Sequence, residues 1–167
     1  MPRGKSDRRK FLNRALGAAG AASVAALAAP GAVLAKKNPA RKQVVTRGGQ
    51  PLPPEALFSP AIRFGNLLFV SGVGAHDPQT HKVVEGPFPN QVRQCLDNLK
   101  AVVEAAGSSM TAVLKCTVFL TDIANFQAMN QVYHTYFTTD PPARSTVAVK
   151  ELPGESPIEI ECFAHVD

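Results

Sequence analysis

The chain has 167 residues and a formal net charge of +5 at pH 7, but that charge is unevenly divided. Residues 1–47 hold eleven Lys and Arg and one acid, a net of +10, whereas residues 48–167 hold seven basic and twelve acidic side chains, a net of −5. An acidic domain is a poor match for a phosphate backbone, so this distribution argues against nucleic acid as a partner.

The N-terminal segment has the three parts of a signal sequence. A basic region contains the twin arginines Arg8 and Arg9, residues 15–35 are uncharged and rich in Ala, and residues 33–35 place small side chains at the two positions that signal peptidase reads. The pattern predicts a twin-arginine (Tat) signal peptide over residues 1–35, export by the Tat translocase to the periplasm, and cleavage that leaves no stable membrane insertion. A retained membrane anchor is the alternative, although Ala and Gly make the segment weakly apolar.

The remainder of the chain is long enough for a single domain. Removing residues 1–35 leaves 132 of the 167 residues, which suffices for one hydrophobic core but not for two. Residues 36–47 are predicted to be a basic linker, with Val44 and Val45 as the start of a first strand. Residues 48–167 are predicted to form the folded domain.

Two segments show the periodicity of amphipathic helices. Residues 90–106 place apolar side chains at helical spacing and precede Gly107, a typical helix stop. Residues 125–137 repeat the pattern, with Asp122 as the expected N-cap. The apolar positions are Val92, Leu96, Leu99, Val103 and Ala106 in the first helix, and Phe126, Met129, Tyr133, Tyr136 and Phe137 in the second.

Alternating side chains mark the strands that flank these helices. Residues 111–120 alternate, with one face formed by Leu114, Cys116, Val118 and Leu120. Residues 141–166 contain two further alternating patterns around a Leu-Pro-Gly turn signal, and the apolar face of the second is formed by Ile158, Ile160, Cys162, Ala164 and Val166. The order strand, strand, helix, strand, helix, strand, strand predicts an α+β domain in which both helices cover one face of a mixed sheet.

The other face of this sheet is expected to lie between subunits. It mixes charged side chains with large aromatics, which neither a solvated face nor a monomer core carries comfortably. Packing against further copies of the chain would bury the aromatics and leave the charged side chains in polar clefts between subunits. The sequence therefore predicts assembly. The residues assigned to this face are Lys115, Thr117, Phe119, Arg144, Thr146, Glu159, Glu161 and Phe163.

The cysteine and histidine patterns indicate neither a metal site nor a redox site. Cys95, Cys116 and Cys162 fall on apolar faces and are predicted to be small hydrophobic residues of the core, neither disulfide-bonded nor nucleophilic. The four His residues lack the spacing of metal ligands, and the chain has no Gly-rich phosphate loop, so no metal or cofactor is expected.

Arg144 and Glu159 carry the chemistry that residue types alone suggest. A guanidinium offers a fork of donors that matches a carboxylate. A partly buried glutamate beside a second acid, here Glu161, has a raised pKa and exchanges protons near neutral pH. The pair can hold an amino-acid-derived carboxylate and activate water against a C=N bond. A plain salt bridge between Arg144 and Glu159 on neighbouring strands is an equal alternative.

Five landmarks follow one another along the chain: LLFVSG (67–72), QCLDNLKAVVEAAG (94–107), TVFLTDIANFQAMNQVY (117–133), PPARSTV (141–147) and IEIE (158–161). In this order they resemble the RidA (YjgF) family of enamine/imine deaminases over roughly residues 58–165. Their joint order is far more specific than any one of them. The resemblance implies a chorismate-mutase-like fold, a homotrimer, and active sites in the clefts between subunits.

The resemblance also implies roles for individual residues. In that family the arginine of the P-A-R-S motif grips the substrate carboxylate, which here is Arg144, and the first glutamate of I-E-I-E orients the hydrolytic water, which here is Glu159. The further residues that the resemblance places around the substrate are Phe58, Ser71, Gly72, Asn130 and Thr146.

Three positions depart from the best-studied deaminases. Those enzymes carry a tyrosine where this chain has Phe58, a cysteine where it has Thr146 and a glutamine where it has Val73. Phe58 keeps the ring and loses the hydroxyl, and Thr146 keeps the backbone contacts and loses the thiol. The sequence therefore predicts cofactor-independent hydrolysis of 2-imino acids, or of their enamine tautomers, to 2-keto acids and ammonia, with a different substrate preference. The alternative is a trimeric, exported module that binds a small carboxylate ligand without turnover.

Overall fold

The computed structural model describes residues 40–167, so the predicted signal peptide and residues 36–39 of the predicted linker lie outside the described residues. The described part of the chain forms six strands and two helices. In chain order these are β1 (Lys42–Val45), β2 (Ala61–Phe64), β3 (Leu67–Gly74), α1 (Phe88–Ala105), β4 (Val113–Leu120), α2 (Phe126–Tyr136), β5 (Ala143–Ala148) and β6 (Ile158–His165).

The strands form one mixed sheet in the order β1-β2-β3-β6-β4-β5. β4 and β5 run parallel, and every other neighbouring pair is antiparallel. β1 pairs with β2 through Val44 and Val45, opposite Ile62 and Ala61. The first strand expected at Val44 is therefore present, and the sheet begins inside the segment that the sequence suggests to be a linker.

Both helices pack on one face of the sheet, and the hydrophobic core lies between the two layers. β6 contributes Ile158 and Ile160, and α1 contributes Leu96 and Leu99, all of them fully buried. Burial of each such side chain contributes roughly 1.5–3 kcal/mol to folding, so this seam is a main source of stability. The predicted α+β architecture, a mixed sheet with two helices on one face, is confirmed.

Local signals set the helix ends. α1 ends shortly before Gly107, whose φ of 78° lies in the left-handed region that favours glycine. The Asp122 carboxylate accepts a hydrogen bond from the backbone N of Ala124 at 2.8 Å, so it caps a 3₁₀ turn, Ile123–Asn125, that leads into α2. The predicted cap at Asp122 thus belongs to the turn and not to α2 itself. Neither helix within residues 40–167 is long and apolar enough to cross a membrane.

Leu114 does not lie on the core face of β4, contrary to the prediction, and is 51% exposed. The register between β4 and β6 shifts between Val113 and Lys115. A bulge of this kind inserts one residue and turns its side chain away from the face that simple alternation assigns to it. Cys116 and Val118, beyond the bulge, return to the core as predicted.

β5 presents the opposite face from the one predicted. Arg144 is the register partner of Cys116, a core residue, so it lies on the helix-covered face, and Thr146 shares that face two positions on. Val147 instead lies on the open face and is 44% exposed. β5 is the edge strand beside α2, and polar and aromatic side chains of that helix contact Arg144. The centre of the core offers no such partners to a charged side chain.

All three cysteines lie in the core, which confirms their prediction as small hydrophobic residues. Burial raises the pKa of each thiol, that of Cys162 to about 12, so a thiolate nucleophile near neutral pH is disfavoured. Residues 40–167 contain no group of three or more His, Cys, Asp or Glu side chains placed to hold a metal ion.

Candidate functional site

Arg144 is held at the edge of the sheet by side chains of α2. It follows Pro141 and Pro142, whose rings favour the extended backbone in which β5 begins. Its Nη2 donates to Asn130 Oδ1 at 2.7 Å, and its guanidinium carbon lies 4.5 Å from the centre of the Tyr133 ring. Asn130 and Tyr133 are three residues apart on one helix and therefore present one face to the guanidinium.

The space beside Arg144 is a cleft of about 420 Å³, called here the arginine cleft, and its walls are Asn130, Tyr133, His134, Phe137, Pro141, Pro142 and Arg144. A guanidinium has five N–H groups. In the described part of the chain these donate to Asn130 and, at 3.8 Å, to the sulfur of Met129. The other N–H groups are available to a ligand carboxylate, which arginine binds through two parallel hydrogen bonds.

Two buried hydroxyl groups close to Arg144 lack a strong hydrogen-bonding partner. Thr146 Oγ1 is buried and forms no hydrogen bond with any residue in 40–167, and the buried Tyr133 hydroxyl has only the weakly hydrogen-bonding thiol of Cys116 beside it. Buried polar groups in folded proteins are normally paired. Burial also raises the pKa of Tyr133, so its hydroxyl keeps its proton. Both oxygens are enclosed by the chain itself, so the unused hydrogen-bonding capacity in the arginine cleft is that of Arg144.

Glu159 lies on the open face of the sheet, against a strand that lacks side chains at two positions. Its register partner on β3 is Gly74. A Cβ added to Gly72 would collide with the carboxylate and come within 2.6 Å of its carboxyl carbon. β3 bulges between Val70 and Val73, which sets Gly72 beneath that carboxylate. Gly72 is therefore needed for the position of Glu159.

The surroundings of Glu159 favour its protonated form more than water does. Its side chain is half-buried on β6. Desolvation raises the pKa of this carboxyl, and the nearby Glu161 carboxylate raises it further, while the charge of His76 partly opposes both effects. A carboxylate whose pKa is raised is a stronger base and takes up a proton more readily, which suits a general base.

Phe58, Ser71 and Gly72 lie together along a cleft of about 700 Å³ at the end of β3, called here the serine cleft. The Ser71 hydroxyl donates to the Ser59 carbonyl at 2.8 Å and so fixes the segment that carries Phe58. The Phe58 ring is 71% exposed, so it forms a wall of this cleft rather than part of the core. Gly72 joins the cleft to Glu159, because its backbone lines one and supports the other.

The structure does not bring Arg144 and Glu159 together within one chain. β4 lies between β5 and β6, and the two side chains project from opposite faces of the sheet. The alternative of a salt bridge on neighbouring strands is therefore wrong. The predicted site residues instead divide into two groups, Arg144, Asn130 and Thr146 on one side and Glu159, Ser71, Gly72 and Phe58 on the other.

Two residues of these regions are missed by sequence reasoning. Tyr133 stacks on Arg144, although its periodicity indicates only a core position, and its spacing from Asn130 is the signal for a shared face. His76 lies beside Gly74 and donates from Nε2 to the Gly154 carbonyl at 2.8 Å. It belongs to no motif, and the pairing of β3 with β6, a long-range feature, is what brings it near Glu159.

The chain is thus an α+β protein that presents a guanidinium with unused donors and, on the opposite face of its sheet, a partly desolvated carboxylate. The model of the family described as Endoribonuclease L-PSP matches residues 49–166. The chain belongs to this family, which is the RidA (YjgF) family that its sequence landmarks predict.

Relatives and solved structures agree with this assignment. A RutC family protein of Pyrococcus horikoshii is 46% identical over 108 residues, which are 65% of this chain and 86% of that protein. A Dermatophagoides farinae protein named 2-iminobutanoate/2-iminopropanoate deaminase is 37% identical over 119 residues, 70% of this chain and 93% of that protein. The crystal structure of the YjgF gene product from E. coli is 35% identical with a TM-score of 0.67, covering 74% of this chain and 98% of that one.

Proposed function

We propose that this protein hydrolyses 2-imino acids and their enamine tautomers to 2-keto acids and ammonia, in a site shared by two copies of the chain. The observation that carries the proposal is the division of the predicted site into a guanidinium with unused donors and a desolvated carboxylate. The guanidinium can bind a carboxylate but does not take up a proton, whereas the Glu159 carboxylate can take up a proton but does not bind an anion. The deaminase name of the Dermatophagoides relative supports this reaction, and the acidic charge of residues 48–167 does not favour RNA as a substrate.

Arg144 binds the carboxylate of the substrate in this proposal. Its contacts with Asn130 and Tyr133 hold the guanidinium plane in one orientation before the ligand arrives. A fixed fork loses little side-chain entropy on binding, so more of the charge-assisted interaction appears as affinity. Thr146 lies on the same face of β5 two positions on, with its hydroxyl buried behind the arginine.

Glu159 moves the protons of the reaction. As its carboxylate, it takes a proton from water while the water oxygen adds to C2 of the protonated imine. It then returns that proton to the amine nitrogen, the C–N bond breaks, and ammonia leaves. The proton of the new hydroxyl passes to Glu159 or to water as the keto group forms. Because its pKa is raised, the Glu159 carboxylate takes the proton from water more readily than an ordinary carboxylate does.

A homotrimer is the assembly that we propose for joining the two halves. The open face of the sheet exposes Phe69 and Phe163, whose rings meet edge to face with centroids 5.2 Å apart, and Val147 two strands away on β5. Exposed aromatic clusters of this kind are typical of subunit interfaces. Packing these faces around a three-fold axis closes a ring in which each arginine cleft meets the Glu159 side of a neighbour.

The substrate side chain is expected to be apolar. Phe58 presents a ring without a hydroxyl, and Val73 is apolar where the best-studied deaminases carry glutamine. Both residues line the serine cleft, next to the glycine that supports Glu159. Burial against these two walls stabilises a hydrocarbon side chain, while the polar residues that also line the cleft are Arg47, Ser71, His76, Asp77, His81 and Asn98.

Export to the periplasm through the Tat translocase is a second proposal, which rests on the sequence of the N-terminal segment. Replacing Arg8 and Arg9 by Lys keeps the charge but removes the twin-arginine signal, so the precursor should remain in the cytoplasm. Cell fractionation and immunoblotting measure this. An unchanged periplasmic yield would show that the pair is not read as a Tat signal.

The reaction is tested with imino acids generated in situ by an amino-acid oxidase, the remaining imine being trapped with semicarbazide. Glu159→Gln keeps the shape of the side chain but cannot accept a proton from water, so the enzymatic rate should fall by roughly 10²–10⁴-fold while affinity for 2-keto acids changes little. Glu161→Gln, on the same face of β6, is the matched control and should retain most activity. If the wild type binds 2-keto acids without accelerating imine loss, the binding-module alternative is correct.

A further inference from the structure

Two polar residues lie buried beside the end of β3, in a core that is otherwise mostly apolar. Ser156, which precedes β6, is 1% exposed, and Asn98 on α1 is 6% exposed. Burial of a polar side chain is unfavourable unless its hydrogen-bonding atoms have partners. Both side chains are paired, and their contacts converge on residues 74–76 and on Ile158.

The Ser156 hydroxyl joins the end of β3 to the residue before Glu159. Its Oγ accepts a hydrogen bond from the backbone N of Ala75 at 3.0 Å and donates to the carbonyl of Ile158 at 2.6 Å. That carbonyl belongs to the planar peptide group that Ile158 shares with Glu159, so the contact fixes the backbone from which the Glu159 side chain starts. The last register pair of β3 and β6 is Gly74 with Glu159, and the hydroxyl links the two strands just beyond it.

The Asn98 amide holds the same end of β3 from the side of α1. Its Nδ2 donates to the carbonyl of Gly74 at 2.9 Å and to that of His76 at 2.7 Å. Its Oδ1 accepts a hydrogen bond from Gln94 at 3.2 Å. Only the amide nitrogen can serve two carbonyl groups, so the orientation of the amide is defined and both of its N–H groups are used. The helix thus fixes where β3 ends.

The backbone at the end of β3 determines where the Glu159 carboxylate can lie. A Cβ added to Gly72 would collide with this carboxylate, and one added to Gly74 would lie 2.9 Å from the Ser156 hydroxyl, so the strand approaches both groups closely. β3 also bulges directly before this point, and a bulge interrupts the ladder of backbone hydrogen bonds. Side-chain contacts are therefore needed to hold this part of β3 against β6.

We propose that Ser156 is a positioning residue for Glu159, with Asn98 holding the other side of the same strand end. Together they keep β3 and the start of β6 at the separation that places the carboxylate against Gly72. This role rests on the proposed function, in which the carboxylate must meet a water molecule beside C2 of the imine. Because a displacement of about 1 Å typically costs about 10²-fold in rate, hydrogen bonds that fix the backbone of the base affect catalysis even where the fold is kept.

Ser156→Ala in the full chain tests this role, and Ser108→Ala is the matched control. The Ser108 hydroxyl also donates at 2.6 Å to a carbonyl of β6, that of His165 at the far end of the strand. We expect kcat to fall by roughly 10- to 10²-fold in Ser156→Ala, with KM within about twofold because the arginine cleft is unchanged. Ser108→Ala should keep kcat within about twofold of the wild type. If imines are hydrolysed and Ser156→Ala loses no more kcat than this control, the inference is wrong while the proposed function stands.

Two further variants separate positioning from a general loss of stability. In Glu159→Gln no base remains to be positioned, so adding Ser156→Ala should cause no further loss of rate. Losses that multiply in the double variant would show that Ser156 does not act through Glu159. Asn98→Ala removes both hydrogen bonds from α1 to the end of β3 and should lower kcat in the same sense as Ser156→Ala. A wild-type kcat in Asn98→Ala would overturn the role of Asn98.

Crystal structures of the variants test the inference even if no imine is hydrolysed. The Glu159 carboxylate should be displaced from Gly72 in Ser156→Ala and unmoved in Ser108→Ala. An unmoved carboxylate in Ser156→Ala overturns the inference whatever the activity. Should Ser156→Ala fail to fold, Ser156→Cys fills the same space with a thiol that forms only weak hydrogen bonds, and a smaller displacement in the same sense is expected. A wild-type carboxylate position in Ser156→Cys would then overturn the inference.

Discussion

The arginine cleft and the Glu159 region prepare their functional groups in opposite ways. At the arginine cleft, side chains are added around the guanidinium, with Asn130 at 2.7 Å and the Tyr133 ring beneath it. At Glu159, side chains are missing, because Gly72 and Gly74 lack the Cβ atoms that would displace the carboxylate and its neighbouring imidazole. One region supplies contacts, and the other supplies space.

This difference corresponds to the two tasks of the proposed reaction. Binding a carboxylate requires a cation that is held rigidly but keeps unused donors, which describes Arg144. Proton transfer from water requires a base, and partial desolvation, which raises the pKa of Glu159, makes its carboxylate a stronger one. A single chain holds the two groups on opposite faces of one sheet, so the proposed site depends on assembly.

The largest effect is expected from separating the subunits. Phe163→Asp places a charge in the exposed aromatic cluster with Phe69, and burying that charge in an interface is strongly unfavourable. Light scattering should report a monomer, imine hydrolysis should be lost, and circular dichroism should remain that of the wild type. Ile123→Asp is the control, because Ile123 is 54% exposed but precedes α2 and lies off the sheet. A variant that stays trimeric and active would contradict the proposed interface.

The next largest effect is expected at Arg144. Arg144→Ala removes a charge-assisted contact of roughly 2–5 kcal/mol, so kcat/KM should fall by about 10²–10³-fold and binding of 2-keto acids should weaken in parallel. Arg144→Lys keeps the charge without the fork and should recover only part of this loss. Calorimetric titration and the imine assay measure both. Unfolding of the trimer by both substitutions would mean that the residue is structural.

Mixing two inactive variants tests whether one site uses residues of two subunits. Arg144→Ala subunits keep Glu159, and Glu159→Gln subunits keep Arg144. If one site draws on both residues from neighbouring subunits, random reassembly of equal amounts restores about a quarter of the sites. The imine assay after joint refolding measures this. No recovery beyond the two separate activities would show that each site is built within one chain.

Much of the fold is predictable because its periodicities are local. Every second residue from Ile158 to Val166 is apolar, so alternation alone identifies the buried face of β6. The helices are equally clear, with α1 ending shortly before Gly107 as its sequence indicates. Which side chains of β5 face the helices is not predictable in this way. Val147 is more apolar than Arg144, and only the parallel register with β4, a long-range feature, places the arginine on the helix side.

The candidate site is predictable as residue types but not as an arrangement. Arg144 and Glu159 can be singled out because of their chemistry and their motifs. The separation of these two residues in the structure cannot be predicted from the sequence. It follows from the insertion of β4 between β5 and β6, which no local pattern indicates. His76 is missed for the same reason, since its place against Gly74, the register partner of Glu159, depends on the pairing of β3 with β6.

A smaller effect is expected from filling the space below Glu159. Gly72→Ala adds a Cβ that collides with the carboxylate, so the group must move by a distance that typically costs about 10²-fold in rate. The fold should be kept, with kcat reduced and the melting temperature little changed. Combining Gly72→Ala with Glu159→Gln should cause no further loss, because both act through one group. Additive losses in the double variant would contradict this.

The smallest effect is expected from changing the charge next to Glu159. The Glu161 carboxylate raises the pKa of Glu159, so Glu161→Gln should lower that pKa and move the low-pH limb of kcat/KM to lower pH. The sign follows because the base acts in its ionised form, which then persists to lower pH. His76→Gln should move the same limb the other way, and the double variant should fall between them. A pH–rate profile in which Glu161→Gln shifts the limb upward would show that another group titrates there.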